Sequence, residues 1–285
     1  MNSASEKSVL VSGCSSGIGR AVATGLRNRG YRVFAGIRHR EQADELKAAG
    51  LEPVQLDLTN SESIHAAVTD VVDACQGRLY GLFNNAGFGQ PGAVEDLGRD
   101  ALREQFEVNV FGTHELTRLL IPVMRRQGEG RIIQNSSVLG FVALKYRGAY
   151  IASKYALEGL TDTLRLELAG SGIHVSLIEP GPIISQFRAN ALRAFRRNID
   201  AESSFHAKTY RAVLSRLEST EDNVPFTLPA EAVLGKVVHA LESRRPRAHY
   251  PVTVPTYGFA VLKRLLPVSW LDRLLIYASG AENRR

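Results

Sequence analysis

Short apolar runs alternate with amphipathic stretches along most of the chain. The runs rich in β-branched and aromatic residues predict strands at 8–12, 31–36, 51–57, 79–84, 131–136, 173–179 and 248–252. The stretches with helical apolar spacing predict helices at 18–29, 41–49, 61–75, 100–127, 149–170 and 229–243. Apolar strands separated by helices are typical of a parallel sheet covered on both faces. The predicted fold class is therefore α/β, with a doubly wound parallel sheet in one domain over 1–255.

The remaining residues, 256–285, form an amphipathic tail. Apolar positions interrupted by charged residues predict helices at 257–266 and 269–279, with Ser269 as the cap of the second and Gly280 at its end. Neither stretch approaches the ~20 uninterrupted apolar residues of a membrane span. Two interpretations stay open: the helices pack on the domain or on a dimer partner, or they lie in a membrane interface as a peripheral contact.

Composition favours a globular enzyme and argues against several other classes. A chain of 285 residues with 44% hydrophobic content is long enough for one substantial core. Two cysteines, Cys14 and Cys75, are too few for a disulfide framework. No cationic, apolar leader precedes Ser8, which predicts a cytoplasmic protein, held at the membrane surface if the tail is interfacial. The net charge is +6, but without zinc spacing or a recognition motif it does not indicate nucleic-acid binding.

Two local patterns point to chemistry. The first strand is followed by Gly13-Cys-Ser-Ser-Gly17-Ile-Gly19 and then by a helix. Such glycines allow a tight turn and close backbone approach, while the helix start offers N–H groups to a diphosphate. Farther on, Tyr150-Ile-Ala-Ser-Lys154 places a phenol and an ammonium group on one helix face. An ammonium group beside a phenol lowers a pKa that begins near ~10, so the pair is a candidate acid.

Five motifs resemble the short-chain dehydrogenase/reductase family in its classical form, over about Ser8 to Ser185. They are Ser12-Gly-Cys-Ser-Ser-Gly-Ile-Gly19, Asn84-Asn-Ala-Gly87, Val-Asn109-Val-Phe-Gly, Ser136-Ser137 ahead of Tyr150-Ile-Ala-Ser-Lys154, and Pro180-Gly-Pro-Ile183. Ser12 stands where the family usually has Thr, and so does Ser185. The resemblance implies a Rossmann-type fold, a nicotinamide cofactor, oxidation or reduction of a small molecule, and no metal ligand set.

The end of the second predicted strand bears on the cofactor. An acidic residue there would hold the ribose 2′-hydroxyl of NAD, but the sequence is Ile37-Arg38-His-Arg40. Arg38 is suited to the 2′-phosphate of NADP, with Arg40 expected to assist, so NADP(H) is predicted. The resemblance implies that the other cofactor-binding residues are Gly13, Ser15, Ser16, Gly17, Ile18, Gly19, Asp57, Leu58, Asn84, Ala86, Gly87, Tyr150, Lys154, Pro180, Gly181 and Ile183.

The resemblance also implies four catalytic residues. Tyr150 matches the acid that gives its proton to a carbonyl oxygen. Lys154 matches the residue that holds the nicotinamide ribose and depresses the pKa of Tyr150. Ser137 would hydrogen-bond the substrate oxygen, and Asn109 would hold a water for a proton relay through the lysine.

Two variable segments bear on the substrate. In the resembling family, the loop after Ser137 and the segment 186–227 form the pocket walls and lid. The second segment contains Phe187, Phe195, Phe205, Tyr210 and Phe226. An apolar and aromatic lining favours a hydrophobic carbonyl or alcohol substrate. The alternative, that these side chains are core residues, stays open.

Within the family the motifs are similar to the branch of 17β-hydroxysteroid dehydrogenases, retinol dehydrogenases and bacterial NADPH-dependent aldehyde reductases. Reduction of a retinaldehyde-like or long-chain aldehyde is the leading prediction, and a 17β-hydroxysteroid-type dehydrogenase is the alternative. A catalytically silent, dinucleotide-binding regulatory protein is the alternative from another class. The resemblance further implies a homodimer or homotetramer paired through 100–127 and 149–170.

Overall fold

A seven-stranded, fully parallel sheet forms the centre of the protein. The computed structural model describes residues 7–219 and 224–279. The strand order is β3-β2-β1-β4-β5-β6-β7. The strands are β1 (Ser8–Ser12), β2 (Arg32–Ile37), β3 (Glu52–Gln55), β4 (Leu79–Asn84), β5 (Gly130–Asn135), β6 (Ile173–Glu179) and β7 (His249–Pro251). The strand order reverses at β1. The segments that follow β1 and β4 therefore leave in opposite directions, which opens a crevice at the carboxyl edge of the sheet.

Helices cover both faces of the sheet. They are α1 (Gly17–Arg27), α2 (Ala43–Ala48), α3 (Ser61–Ala74), α4 (Arg99–Phe106), α5 (Thr113–Gln127), α6 (Gly148–Glu167), α7 (Phe187–Asn198), α8 (Ala207–Glu218), α9 (Leu234–Glu242), α10 (Val254–Leu265) and α11 (Val268–Ser279). One core layer packs α1 and α9 on the sheet, and the other packs α3 and α5 on the opposite face. The predicted doubly wound α/β fold is confirmed.

The predicted helix at 100–127 is interrupted. Residues Glu107–Gly112 form a π-helical turn between α4 and α5. Gly112 lies against the backbone oxygen of Leu58, and a Cβ there would overlap that oxygen. The bulge therefore lets the helix approach the loop after β3, and it carries Asn109, which fits the frequent occurrence of π-bulges at functional sites.

The variable segment contains two helices that the sequence analysis did not predict. Phe195 and Tyr210 are fully buried between α7 and α8, where their rings meet edge to face at 5.0 Å. Phe205 is 93% exposed and Phe226 is 60% exposed. Of the five aromatic residues expected in the pocket wall, only Phe187 lines the cleft, because the apolar stripes of the two helices face each other.

The tail packs on the domain through one face. Leu271 and Leu275 contact the loop after β5, and Ser279 Oγ accepts a hydrogen bond of 3.1 Å from Lys145 N. The other face is exposed at positions that include Trp270 and Ile276. Ser269 lies inside α11, whose first amides bond to the Pro267 oxygen, so the predicted cap is wrong. Gly280 lies outside the described residues.

Two expectations about the surface can be compared with the structure. Across residues 7–219 and 224–279, no helix combines the length and the apolar character that crossing a membrane requires. Phe111 of the π-helical turn and Leu160 and Leu166 of α6 are exposed. Apolar exposure on the two segments expected to pair favours self-association, which stays a prediction.

Candidate active site

A long cleft follows the carboxyl ends of β1, β2, β4, β5 and β6. Its volume is about 1680 Å³, more than the ~300–1,000 Å³ of most single-ligand pockets. The structure therefore has room for a dinucleotide and a second molecule. The predicted site residues that line it are Gly13, Ser15, Ser16, Gly17, Ile18, Arg38, Asp57, Leu58, Ala86, Gly87, Ser137, Tyr150, Lys154, Pro180, Gly181 and Ile183.

The glycine loop has the backbone geometry that it needs. Gly13 and Gly17 have φ of 71° and 55°, the left-handed region that favours glycine. A Cβ on Gly13 would lie 2.8 Å from Ala86 Cα. Gly19 does not line the cleft, but a Cβ there would overlap the Gly13 oxygen, so it allows α1 to pack under the loop. Ser12 Oγ accepts hydrogen bonds from two amides of the loop after β4, each at 3.0 Å, which explains the hydroxyl.

The start of α1 is open to an anion. Its N-cap residue, Ser16, makes no side-chain capping bond, and no acidic residue lies in the first turn. The first amides of a helix have no partner within the helix, and the helix dipole favours negative charge there. With the glycine cradle beside it, this end of the cleft fits the diphosphate of a nicotinamide dinucleotide.

Arg38 follows β2 at the rim of the cleft, with Asp57 and Leu58 on the neighbouring strand end. Its Nε donates to His39 Nε2 at 2.9 Å, and the side chain is exposed. Arg40 is directed elsewhere: its Nε donates to Gln55 Oε1 at 2.6 Å, and it does not line the cleft. The expected assistance from Arg40 therefore has no support in the geometry.

Asn84 is buried below the cleft, contrary to the prediction that it contacts the cofactor. Its Nδ2 donates to Thr117 Oγ1 at 2.8 Å. Asn85 lines the cleft instead, and its Nδ2 donates to the oxygens of Ser12 and Gly13 at 3.1 and 3.2 Å. Successive strand residues point to opposite faces, so a shift of one residue moves the side chain out of the site. The adjacent Asn in the motif was the signal for Asn85.

Ser137, Tyr150 and Lys154 meet between β5 and α6. Ser137 and Tyr150 share a side-chain hydrogen bond. Lys154 is buried, and its Nζ donates to the Asn135 oxygen at 2.6 Å. Its Nζ lies 5.7 Å from the centre of the Tyr150 ring. Phe187 contacts the same ring edge to face at 5.2 Å. The structure thus brings three of the four predicted catalytic side chains together.

The pKa of Tyr150 differs from the one that the sequence predicted, and the pKa of Lys154 is shifted as well. Burial raises the pKa of Tyr150 to about 12, and the hydrogen bond with Ser137 opposes that rise only in part. Burial lowers the pKa of Lys154 to about 8, with Glu158 acting in the opposite direction. The expected depression of the Tyr150 pKa by Lys154 is not found, since desolvation of the phenol exceeds the effect of a cation bound to Asn135.

Asn109 is buried behind the cleft and does not line it. Its Nδ2 donates to the Phe88 oxygen and to Ser153 Oγ, both at 3.0 Å, and its Oδ1 accepts from Phe88 N at 3.2 Å. A Cβ on Gly87 would lie 3.1 Å from this Oδ1 and 3.9 Å from Lys154 Nζ. Asn109 therefore ties the loop after β4 to α6 beside Lys154. The side-chain amide is already occupied by protein partners.

A partly buried cluster of three carboxylates and His249 includes Glu158, which follows Lys154 by one turn of α6. His249 Nδ1 lies 2.6 Å from Glu179 Oε1, and its Nε2 lies 3.4 Å from Asp162. The hydrogen bond with Glu179 raises the pKa of His249. Burial raises the pKa of Glu158 to about 7. Sequence reasoning missed this cluster, because its members come from α6, β6 and β7.

The family profile described as short chain dehydrogenase matches residues 7–194. This chain belongs to that family of oxidoreductases. Among its relatives is the uncharacterized oxidoreductase YbbO of Escherichia coli K12, 43% identical over 270 residues, which are 95% of this chain and 94% of that protein. Human retinol dehydrogenase 8 is 36% identical over 199 residues, covering 66% of this chain and 63% of that protein.

Two solved structures are similar in fold and differ in cofactor. A short chain dehydrogenase/reductase of Burkholderia phymatum in complex with NAD has a TM-score of 0.77 at 25% identity, covering 93% of this chain and 95% of that one. A short chain dehydrogenase of Burkholderia cenocepacia in complex with NADP has a TM-score of 0.74 at 25% identity, covering 95% and 98%. The fold thus accepts either dinucleotide.

Proposed function

We propose that this protein uses NADPH to reduce the carbonyl group of a hydrophobic aldehyde or ketone to an alcohol. The observation that carries the proposal is the meeting of Ser137, Tyr150 and Lys154 at the inner end of the glycine-loop cleft. A long-chain or retinaldehyde-like aldehyde is the favoured substrate. The relative named retinol dehydrogenase supports this choice, as does the apolar wall of Val138, Leu139 and Leu144 near Tyr150.

Each residue has a role that follows from its position. Ser137 orients the phenol and hydrogen-bonds the substrate oxygen. Tyr150, protonated at neutral pH because its pKa is about 12, donates its proton to that oxygen. Lys154 supplies the positive charge that stabilises the phenolate left behind. Asn109 is a positioning residue that fixes Lys154's surroundings through Phe88 and Ser153. When bound, the nicotinamide cofactor supplies the hydride.

The preference for NADPH rests on charge at the rim. Arg38 is the first residue after β2, and Arg38 and His39 both line the cleft there. A guanidinium group binds a phosphate dianion through charge-assisted hydrogen bonds. No carboxylate occurs from Arg38 to Arg40 to accept a ribose 2′-hydroxyl.

Steady-state oxidation of NADPH against a panel of aldehydes and ketones tests the proposal. Tyr150→Phe should lower turnover at least about 100-fold, the low end for loss of a general acid. NADPH affinity, measured by fluorescence titration, should stay within about threefold, since the variant keeps the ring against Phe187.

Two outcomes would contradict the proposal. Turnover that survives Tyr150→Phe would place the acid elsewhere. Tight NADPH binding with no oxidation of any carbonyl compound in the panel would favour the alternative of a catalytically silent, dinucleotide-binding regulatory protein. A ketosteroid reduced faster than any aldehyde would favour the 17β-hydroxysteroid-type activity.

A further inference from the structure

Helices α7 and α8 of the variable segment have a basic face at the substrate end of the cleft. On α8 the polar residues that line the cleft are Lys208, Arg211, Ser215 and Arg216. Their spacing of three and four residues places them on one side of the helix. The opposite side holds Tyr210 and Val213, which are buried against α7, and Leu217 is buried at the edge between the two sides, where it also lines the cleft. The position of α8 is therefore fixed by its apolar side, which leaves the cationic side directed at the cleft.

The neighbouring helix adds to this charge. Arg193 and Arg197 of α7 also line the cleft. Of the described residues that line the cleft, only Asp57 and Glu104 carry a carboxylate. Glu104 pairs with Arg197, and Asp57 lies at the glycine-loop end. The substrate end therefore holds more positive than negative charge.

Two of these cations have no partner of their own. Arg193 bonds to Asn190, and Arg216 is engaged as well. Within 7–219 and 224–279, by contrast, the side chains of Lys208 and Arg211 have no ion pair or hydrogen bond. They lie three residues apart on one helix face, an arrangement that is unfavourable between like charges. A bound anion would relieve that repulsion.

Helix α7 connects the Tyr150 end of the cleft to the cationic end. Phe187, the first residue of α7, contacts the Tyr150 ring. Arg193 and Arg197 follow it by six and ten residues, which is ~9 and ~15 Å along the helix. The wall between is apolar and small, with Ala191 and Ala194 among its residues. The cleft thus runs from a proton donor, along an apolar wall, to a group of cations.

We propose that the substrate is an anionic amphiphile. Its carbonyl group meets Tyr150, its apolar chain follows α7, and its carboxylate, sulfonate or phosphate group binds Lys208 and Arg211. This inference rests on the proposed carbonyl reduction and specifies its substrate class. It also revises the expected aromatic lid, since the wall that the aromatic residues were to form is basic.

A matched pair of substrates tests the inference. The probes are an ω-oxo fatty acid of about twelve carbons, whose extended chain is as long as the ~9–15 Å of α7 wall between Phe187 and the two arginines, and its methyl ester. With NADPH, kcat/KM should be at least about tenfold higher for the acid. That advantage should decrease as salt rises, because ions screen exposed charges.

Charge reversal gives the second arm. Lys208→Glu with Arg211→Glu should lower the acid-to-ester ratio of kcat/KM at least about tenfold. The control, Arg244→Glu with Arg245→Glu, makes the same net charge change at exposed residues that do not line the cleft. It should leave the ratio unchanged.

The outcomes separate the two proposals. Reduction of both compounds with equal kcat/KM, or an equal loss of the ratio in the control, would overturn the inference and leave carbonyl reduction standing. Weaker NADPH binding in the Lys208/Arg211 variant would assign these cations to the cofactor and also overturn it. Failure of both aldehydes to oxidise NADPH would count against the proposed function, and the inference would fail with it.

Discussion

Replacing Arg38 by Asp should exchange one cofactor preference for another. Arg38 is exposed at the end of β2, and among the described residues its guanidinium group bonds only to His39, so it can turn to a 2′-phosphate at little cost. Hydrogen bonds to charged groups contribute about 1.5–3 kcal/mol net. Exposure places this pair toward the lower end, at about 2 kcal/mol, which corresponds to roughly 30-fold in Kd.

The expected result is asymmetric. Arg38→Asp should raise the Kd of NADPH at least about 30-fold, because it also sets a carboxylate against the phosphate. The Kd of NADH should stay the same or fall, since a carboxylate at this position accepts a hydrogen bond from the ribose hydroxyl. Fluorescence titration of both cofactors at two salt concentrations measures these values. The salt dependence of NADPH binding should be smaller in the variant.

Arg40→Asp is the matched control. It makes the same change two residues away, at a side chain that bonds Gln55 and lies outside the cleft. NADPH affinity should fall by less than about threefold. Equal Kd values of the wild type for NADPH and NADH, or equal losses in the two variants, would refute the assignment of the phosphate to Arg38.

Two further predictions concern stability and the tail. Burial raises the pKa of Glu158 from 4.5 to about 7, so the folded protein binds this proton more tightly than the unfolded chain does. The stability that proton binding supplies is complete below pH 4.5 and is lost as the pH rises through 7. The free energy of unfolding of Glu158→Gln, relative to that of the wild type, should therefore rise by on the order of 1–3 kcal/mol between pH 5 and pH 8. Equal differences in Tm at both pH values would contradict this. Trp270→Glu with Ile276→Glu should abolish salt-sensitive binding to anionic vesicles if the exposed tail face is interfacial. Absence of wild-type binding at low salt would exclude the membrane interpretation.

Point changes test the tail better than deletion does. Leu275 packs with Leu139 and Val142, which follow Ser137 in the chain, and Ala278 lines the cleft. Removing the tail would therefore disturb the active site as well as the exposed face. The inner face of the tail packs on the domain, as one of the two interpretations predicted, and the membrane interpretation stays a prediction for the exposed outer face.

The features predicted correctly from the sequence are those fixed by local chemistry. The glycine loop needs particular residues at fixed spacing, because only they permit the left-handed turns at Gly13 and Gly17. The strands followed from apolar runs, since a parallel sheet covered by helices buries both of its faces. Tyr150 and Lys154 shared a helix face as their spacing required.

The features that were wrong or missed depend on neighbours that are distant in sequence. Asn84 and Asn85 could not be told apart without the register of β4 against the cleft. For the aromatic residues of 186–227, pocket lining and core both stayed open, although Tyr210, Val213 and Leu217 have the spacing of a buried helix face. That periodicity was the available signal, and it would have left Lys208 and Arg211 on the opposite face.

The proton at Tyr150 is the clearest case of tertiary structure overriding a motif. Four-residue spacing places a cation near the phenol, but Lys154 points to Asn135, and burial acts on both groups. Desolvation favours the neutral form of each, which raises the pKa of the phenol and lowers the pKa of the amine. Tyr150 therefore keeps its proton throughout the neutral range, and donation to a carbonyl oxygen needs no prior ionisation.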